Sequence, residues 1–512
     1  MKKKRFCCLL VSFVLYSSLC IFLCSICQVD SDKANHLLQA EDILKGNFFL
    51  KGWNLTGVNF LFTDLPFYGL GFLLGGGVSP LAVSIATGLM ISSVIFLGAL
   101  AAVKDNDSID FRKLILFLFS GMIPCFLYIN FARVHAGAVL CSVLAFLIYS
   151  GITSWEGKKR IIGYVGLFLI FSLGIMSDLL VAILGVLPIA ILSALYFLFG
   201  KDTRKTRLSI IAFLVAVSSV FAGLIFEKIY YLIGKANKNS YIGSKLFTES
   251  DSWDDKLESF WNALSGITFA DFDGRQMADI WNILKLPFVA LIVVTVCYGF
   301  YILFCTVSAR FQKIDDITAL FTFSALFSFC AFLFTDMSEP RYIIMIPLFI
   351  FVVFVRNYEK LFSNANNLNY VWIFLCIVFL MGSIGKVKEL RDYKRILNSD
   401  NEIELASCLS ENNLVSGYAS FWSSSVITVL SDNEIKIRHI EGGDNYHIMN
   451  WFNKNSWYDN ESHFVVIKKD DDSFGVNADG ILGFFGIPDR TIDLSAYTIF
   501  VYSYDLSTVL VK

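Results

Sequence analysis

The sequence predicts an α-helical polytopic membrane protein of about eleven transmembrane helices with a small α/β domain at its C-terminal end. Three observations carry that expectation. The 512 residues are 56% hydrophobic and only 17% charged, and 50 of them are Phe, whereas soluble domains are about 45–50% apolar and about 25% charged. The apolar residues gather in runs of the roughly 20 residues that a bilayer-spanning helix needs. Between those runs, Lys- and Arg-rich turns alternate with turns poor in them, the pattern of the positive-inside rule.

The charges order the elements. "MKKKR" places the N-terminus inside. The apolar stretch after it is too long for a signal-peptide core and no A-x-A-like cleavage site follows, so an uncleaved first helix over residues 6–27 is expected. Residues 28–78 then form a long outer loop. The second helix (79–103) returns to "KDNDSIDFRK" inside. The third and fourth (114–131 and 135–152) form a tight pair with "NFARVHA" at their outer tip and "EGKKR" inside. The fifth and sixth turn at "MSD" outside and end at "GKDTRKTR". The seventh (208–233) leads to a second outer loop over 234–283, and the eighth returns to "SARFQK". The ninth emerges at "TDMSEPRY", the tenth ends at "VRNYEK", and the eleventh (369–384) exits again. The chain thus divides into a membrane part, residues 1–384, N-in and C-out, and an extracytoplasmic part, residues 385–512.

That outer part reads as mixed α/β. "KELRDYKRIL" and "NEIELASCLSENN" have helical spacing, while "VITVL", "IKIRHI", "HFVVIKK" and "YTIFVYSY" are β-rich runs between Gly, Asp and Asn turns. It is long enough for its own core. His439, His447 and His463 lack metal-ligand spacing and read as packing or surface histidines, which leaves the domain as a lid, a support or an acceptor-binding surface.

The net charge of −2 says nothing about nucleic acid, and no basic block or stacking motif suggests a nucleic-acid partner. Most cysteines, such as Cys7, Cys8, Cys20, Cys24, Cys141, Cys297 and Cys376, lie in apolar runs and serve as small hydrophobes; only Cys408 lies well clear of them, and no disulfide framework is readable.

Ionisable groups are nearly absent from the span interiors, where each costs about 2.5–3.5 kcal/mol. Arg133, His135, Asp178, Glu227, Asp336, Glu339 and Arg341 all fall at or near outer ends. As interface anchors each is ordinary; as a set they place the polar machinery at the outer boundary. A transporter would instead carry polar groups along a midplane path.

The first outer loop holds the densest polar pattern. After Asp30 and Asp32, Ala34, Leu37, Leu38 and Leu44 make an apolar stripe, while Asp32, Asn35, His36 and Gln39 share the other face. Gly46-Asn47 ends the helix. An interfacial helix is expected, apolar face on lipid or neighbouring helices, polar face presenting a carboxylate, an amide and an imidazole. Asp30 or Asp32 can serve simply as its N-cap; capping also holds a carboxylate still.

Asp32, Ala40 eight residues on, and Gly46-Asn47 resemble the first-loop signature of the GT-C superfamily of membrane glycosyltransferases, which includes protein O-mannosyltransferases and aminoarabinose transferases. "TDLPFYG" resembles the family's His-Pro-Pro segment, and "EPRYIIMIPLFIF" its Arg-Tyr followed by an apolar helix with Pro. There are departures. Lys33 stands where a second acid is usual, His36 where an aromatic is usual, and Thr63-Asp64-Leu65-Pro66 replaces the double proline.

The resemblance implies transfer, with inversion, of a sugar from a polyprenyl-phosphate carrier to a surface glycan, lipid or protein acceptor. The chemistry suits one carboxylate. The leaving group is already a phosphate, so a single base that deprotonates the acceptor hydroxyl suffices, and Asp32 is the candidate. Cations must meet charge on the departing phosphate. Arg341 is the first candidate, because arginine binds phosphate bidentately; Arg133 is the second, and Lys33 and His36 are auxiliary. Asp64 and Tyr342, in the other two matching segments, complete the substrate-binding candidates. Each cation also reads as a snorkelling or anchoring residue. Asp30 and Asp32 together would alternatively hold a divalent metal. "DFDG" at Asp271–Gly274 matches a calcium loop only in its first residues. A lipid-linked saccharide flippase and a polysaccharide polymerase are the competing classes. High Phe, Lys and Asn usage fits an AT-rich bacterial genome, and hence a bacterial plasma membrane.

Overall fold

A computed structural model describes residues 2–105, 108–118, 134–200, 202–238, 253–268, 280–307, 315–335, 340–343, 345–362, 367–396, 399–443, 445–471 and 473–510. Its helices are α1 (Lys2–Ser25), α2 (Ser31–Leu44), α3 (Leu65–Leu74), α4 (Pro80–Val103), α5 (Ala136–Ile152), α6 (Gly157–Ser177), α7 (Ala182–Phe199, opening with a π-turn), α8 (Thr203–Gly234), α9 (Trp253–Thr268), α10 (Ile280–Val307), α11 (Asp316–Phe334), α12 (Met345–Leu361) and α13 (Leu368–Ile396). Helices stand at ten of the eleven predicted span positions; most of the third, residues 119–131, lies outside the described residues. Among the described residues seven helices are long and apolar enough to cross a membrane, and the protein is a multi-pass membrane protein.

Local chemistry sets the helix ends. Ser79 caps α4, its hydroxyl accepting from the Ala82 N–H, with Pro80 at the first position, where a missing N–H costs nothing. Asp202 caps α8 and Asp315 caps α11. At one end of the bundle polar side chains tie helices together. Lys205 and the Tyr196 hydroxyl both donate to Asp316, at 2.9 and 2.6 Å, and Arg356 donates to Asp315 and to the carbonyls of Ala101 and Lys104.

The C-terminal part contains α14 (Ser399–Glu411), α15 (Phe421–Leu430) and α16 (Ala478–Phe485). In chain order, the strands that matter below are β1 (Trp53–Leu55), β2 (Asn237–Lys238), β3 (Ser416–Ala419), β4 (Lys436–Glu441), β5 (His447–Ile448), β6 (Asn453–Lys454), β7 (Phe464–Lys468), β8 (Arg490–Asp493) and β9 (Tyr497–Val501). Six of them form a mixed sheet in the order β8-β9-β7-β3-β4-β5. β3 runs parallel to β4 and β7, and α15 is the crossover that the parallel β3–β4 pair requires. "IKIRHI", "HFVVIKK" and "YTIFVYSY" supply β4, β7 and β9 as predicted. "VITVL" does not supply a strand: Val426–Leu430 is the second half of α15, a buried helix whose packing overrides the β-branched propensity.

Two further differences concern the boundary between the parts. α13 runs on past residue 384 to Ile396, so "KELRDYKRIL" continues the eleventh predicted span. A second, three-stranded sheet joins distant segments: β1 of the first loop pairs parallel with β2, just after α8, and antiparallel with β6 of the C-terminal part.

α2 is also more enclosed than the interfacial helix expected. Ser31–Ala40 are buried on every side. The polar face meets α15: the Ser31 hydroxyl donates to the Phe421 carbonyl at 2.8 Å, and the Ser425 hydroxyl donates to Asn35 Oδ1 at 2.8 Å. The small serines of α15 allow that approach, so a face that looks solvent-directed in sequence is satisfied by another helix.

Candidate active site

The site is built on the N-terminus of α2. Asp30 is the cap: it is extended (φ −108°, ψ 169°) and its Oδ1 accepts from the Lys33 N–H at 3.0 Å. Its Oδ2 lies 3.0 Å from the Lys33 ammonium, which is buried. Asp32 therefore sits in the first turn, where the helix dipole favours a carboxylate.

Arg341 comes from the short 3₁₀ turn Pro340–Ile343 between α11 and α12. Its Nη1 stands 3.8 Å from Asp32 Oδ2. That separation is an ion pair, longer than a direct hydrogen bond. The guanidinium lies over the Tyr342 ring at 5.6 Å, and that ring is 5.6 Å from His135.

His135 and Asp178 close the site from the ends of α5 and α6. His135 Nδ1 is 2.6 Å from Asp178 Oδ2, and both residues are buried. His135 has φ 76°, a left-handed conformation uncommon for a residue with a side chain. The first loop is strapped to this end of α6. Asn59 donates to the Met176 carbonyl at 2.8 Å, the Phe62 N–H to the Ser177 hydroxyl at 2.9 Å, and the Phe60 N–H to the Ser177 carbonyl at 3.1 Å.

That strap delivers Asp64, the residue before α3. Its Oδ1 accepts from the Gly137 N–H at 3.4 Å, and its buried Oδ2 has no hydrogen-bond partner among the described residues. Burial, and then the nearby Asp178 carboxylate, push the Asp64 carboxyl up to about 6.

His36 completes the floor. Its ring lies 4.9 Å from Phe60, 5.2 Å from Tyr68 and 5.2 Å from Phe452 of the C-terminal part. Nδ1 donates to the Asp32 carbonyl at 2.7 Å, which leaves the lone pair on a buried Nε2. Burial pushes the imidazole down to about 4. That favours the neutral imidazole over the cation expected to help meet phosphate charge, and the ring braces the turn that carries Asp32.

The structure thus gathers Asp30, Asp32, Lys33, His36, Asp64, Arg341 and Tyr342 at one end of the bundle. Arg133, Asp336, Glu339 and the "DFDG" stretch lie outside the described residues. Glu227 is elsewhere, paired with Lys238 at 2.7 Å. Sequence reasoning noticed His135 and Asp178 at outer helix ends but did not pair them or place them in the site; nothing local links two residues so far apart. Phe60 and Phe452 carried no signal at all. His439 is a packing histidine, as expected, held by Phe421 and the Trp451 carbonyl.

The donor set does not fit the divalent metal considered from sequence. One Asp30 oxygen caps a backbone N–H and the other holds the Lys33 ammonium. Among the described residues no three His, Cys, Asp or Glu side chains converge as ligands.

Fold and site together define a multi-pass helical membrane protein with a charged cluster buried where its bundle meets an α/β domain. The fold is similar to that of two crystal structures of ArnT from Cupriavidus metallidurans. The apo form superposes with a TM-score of 0.54 at 10% sequence identity, covering 98% of this chain and 99% of that one. The form bound to undecaprenyl phosphate gives 0.53 at 11% identity, covering 96% and 97%. No family model matches the sequence, and no curated protein matches it.

Proposed function

We propose that the protein is a membrane glycosyltransferase that moves a sugar from a polyprenyl-phosphate-linked donor to an acceptor at the outer face of a bacterial plasma membrane. The observation that carries this reading is the Asp32–Arg341 pair. A carboxylate at a helix N-terminus and a guanidinium 3.8 Å away sit together in a fold shared, in outline, with a protein crystallised with undecaprenyl phosphate. The outward site follows from the charge pattern, which puts eleven spans N-in and C-out and residues 385–512 outside.

In this reading the acceptor hydroxyl oxygen attacks the anomeric carbon from the face opposite the phosphate. Asp32 takes the hydroxyl proton. The bond between the anomeric carbon and the phosphate oxygen breaks, and its electron pair leaves with the polyprenyl phosphate. One displacement inverts the centre. The phosphate passes from a singly charged diester to a monoester of higher charge, and Arg341 faces that gain, with the Lys33 ammonium behind it. Asp64 and Tyr342 line the substrate side, as the matching segments suggest.

The test is sugar transfer from polyprenyl-phosphate sugars in membranes, wild type against Asp32→Asn. Loss of transfer in the variant, with donor still bound, is expected. Transfer that survives removes Asp32 as the base. Translocation of the lipid-linked sugar without transfer replaces the reading with a flippase, and growth of a glycan on its own carrier replaces it with a polymerase.

A further inference from the structure

Away from Asp32, a cavity of about 510 Å³ opens where the three-stranded sheet joins the first loop, the segment after α8 and the C-terminal part. Its lining is Asn54, Asn237, Lys238, Asn450, Asn455 and Asp459, with Ile448 as the apolar contact. The volume is within the roughly 300–1,000 Å³ of small-molecule sites.

Asn54 is the hub. It is buried, and its Nδ2 lies 2.6, 2.7 and 3.3 Å from the Oδ1 atoms of Asn453, Asn455 and Asn450. Its Oδ1 accepts from Asn237 Nδ2 at 2.7 Å. Asn455 thus spends its carbonyl end on the hub, and Asn237 its amino end. Both side chains are exposed, so the cavity meets an amide donor from Asn455 and an amide acceptor from Asn237. Lys238, its ammonium already paired with Glu227, adds a further donor, and Asp459 a charged acceptor. The backbone ladder already joins the three strands, so five linked carboxamides are more than that junction needs.

We infer that this cavity is a binding subsite for a polyhydroxylated acceptor, an oligosaccharide chain rather than a lipid or a peptide. Sugar hydroxyls donate and accept at once, which matches neighbouring carboxamides. A lining with one positive and one negative side chain does not select an anion, and a single apolar residue does not hold a lipid tail. The subsite rests on the transferase reading above and names its acceptor.

Its position relative to Asp32 bounds the length of the acceptor. Asp42, near the far end of α2, accepts from Trp53 Nε1 of β1 at 2.7 Å and pairs with Lys454 of β6 at 2.8 Å. The ten residues from Asp32 to Asp42 span about 15 Å of helix. Trp53 and Lys454 face Asp42 while their strand neighbours Asn54 and Asn453 face the other way, so the cavity lies on the side of the sheet away from α2, and an acceptor that engages both sites is a chain of several sugars.

The experiment uses the full-length protein in nanodiscs, with Asn237→Ala, Asn455→Ala and Asp459→Ala singly and combined. On an array of bacterial surface oligosaccharides, the wild type is expected to bind at least one glycan and the triple variant none. In transfer assays with the endogenous acceptor, the triple variant is expected to raise the acceptor KM at least tenfold and to change the donor KM less than twofold. An array on which the wild type binds nothing, or the triple variant binds equally, overturns the subsite. So does an unchanged acceptor KM in an active enzyme. A wild type that binds glycans but turns over no donor overturns the transferase reading and leaves the subsite standing.

Discussion

Arg341 Nη1 and Asp32 Oδ2 face each other across 3.8 Å, although most of the membrane part of the chain lies between them in sequence. If one acts on the acceptor proton and the other on the departing phosphate, both lower the same barrier. Asp32→Asn is then expected to reduce kcat by about 10²–10⁴, and Arg341→Gln by about 10²–10³. The double variant should lose less than the product of the two, because groups that act on one transition state are not additive. Single-turnover rates for the four proteins check this; strictly multiplicative losses would mean that the two residues contribute independently of each other.

Asp64 and His36 should make opposite contributions to the pH dependence of stability. The Asp64 carboxyl, raised to about 6 from 3.8, holds its proton more tightly when folded, so its contribution to stability declines as pH rises through that window. The His36 imidazole, lowered to about 4 from 6.5, is protonated more readily when unfolded, so its contribution declines as pH falls through nearly the same window. Each is worth at most about 3 kcal/mol, and in the wild type they largely cancel. Asp64→Asn should therefore gain stability relative to wild type as pH rises from 4 to 7.5, and His36→Leu should gain as pH falls. Thermal midpoints in detergent at three pH values test this; difference curves that do not slope with pH, or slope the other way, would sink it.

How much of this was legible follows from what a sequence pattern encodes. Spans were readable because a bilayer demands long apolar runs and says nothing of their partners. Asp32, Arg341 and Tyr342 were singled out by short motifs, and no pattern in the sequence says that they are neighbours in space. The pairing of His135 with Asp178 depends on which helix ends are neighbours, and no periodicity states that. α2 was misjudged because amphipathic spacing does not say what covers the polar face; here Ser31 and Asn35 are covered by α15. "VITVL" was misjudged for a related reason, since a buried β-branched run suits a strand or a helix until its packing is known.

The contact between α2 and α15 has its own consequence. Asn35 accepts from the Ser425 hydroxyl at 2.8 Å and donates to the Ser31 carbonyl at 2.8 Å, all buried. Asn35→Ala strands the Ser425 hydroxyl, at a cost of about 1–3 kcal/mol. Pairing it with Ser425→Ala removes the stranded group and should recover part of the loss. Thermal midpoints of the two single variants and the double variant give the coupling. Additive losses would show that the pair does not hold the helices together.

The placement of Asp64 depends on an atom that is absent. A Cβ on Gly137 would fall inside contact distance of the Thr63 carbonyl and 2.8 Å from the Thr63 Cα, and backbone on the strapped first loop has little room to retreat. Gly137→Ala should therefore push residues 63–64 off the end of α5, lengthen the Gly137 N–H to Asp64 contact, and cost about 1–3 kcal/mol by overpacking. Gly69, in α3 just beyond the same loop, is the control: a Cβ there meets nothing within 4 Å, and Gly69→Ala in a helix should stabilise by up to roughly 1 kcal/mol. Under the proposed function the two alanines also differ in catalysis, with transfer lost at position 137 and kept at position 69. Equal effects of the two substitutions on midpoint and transfer would mean that the close approach of α5 to Thr63 does not position the site.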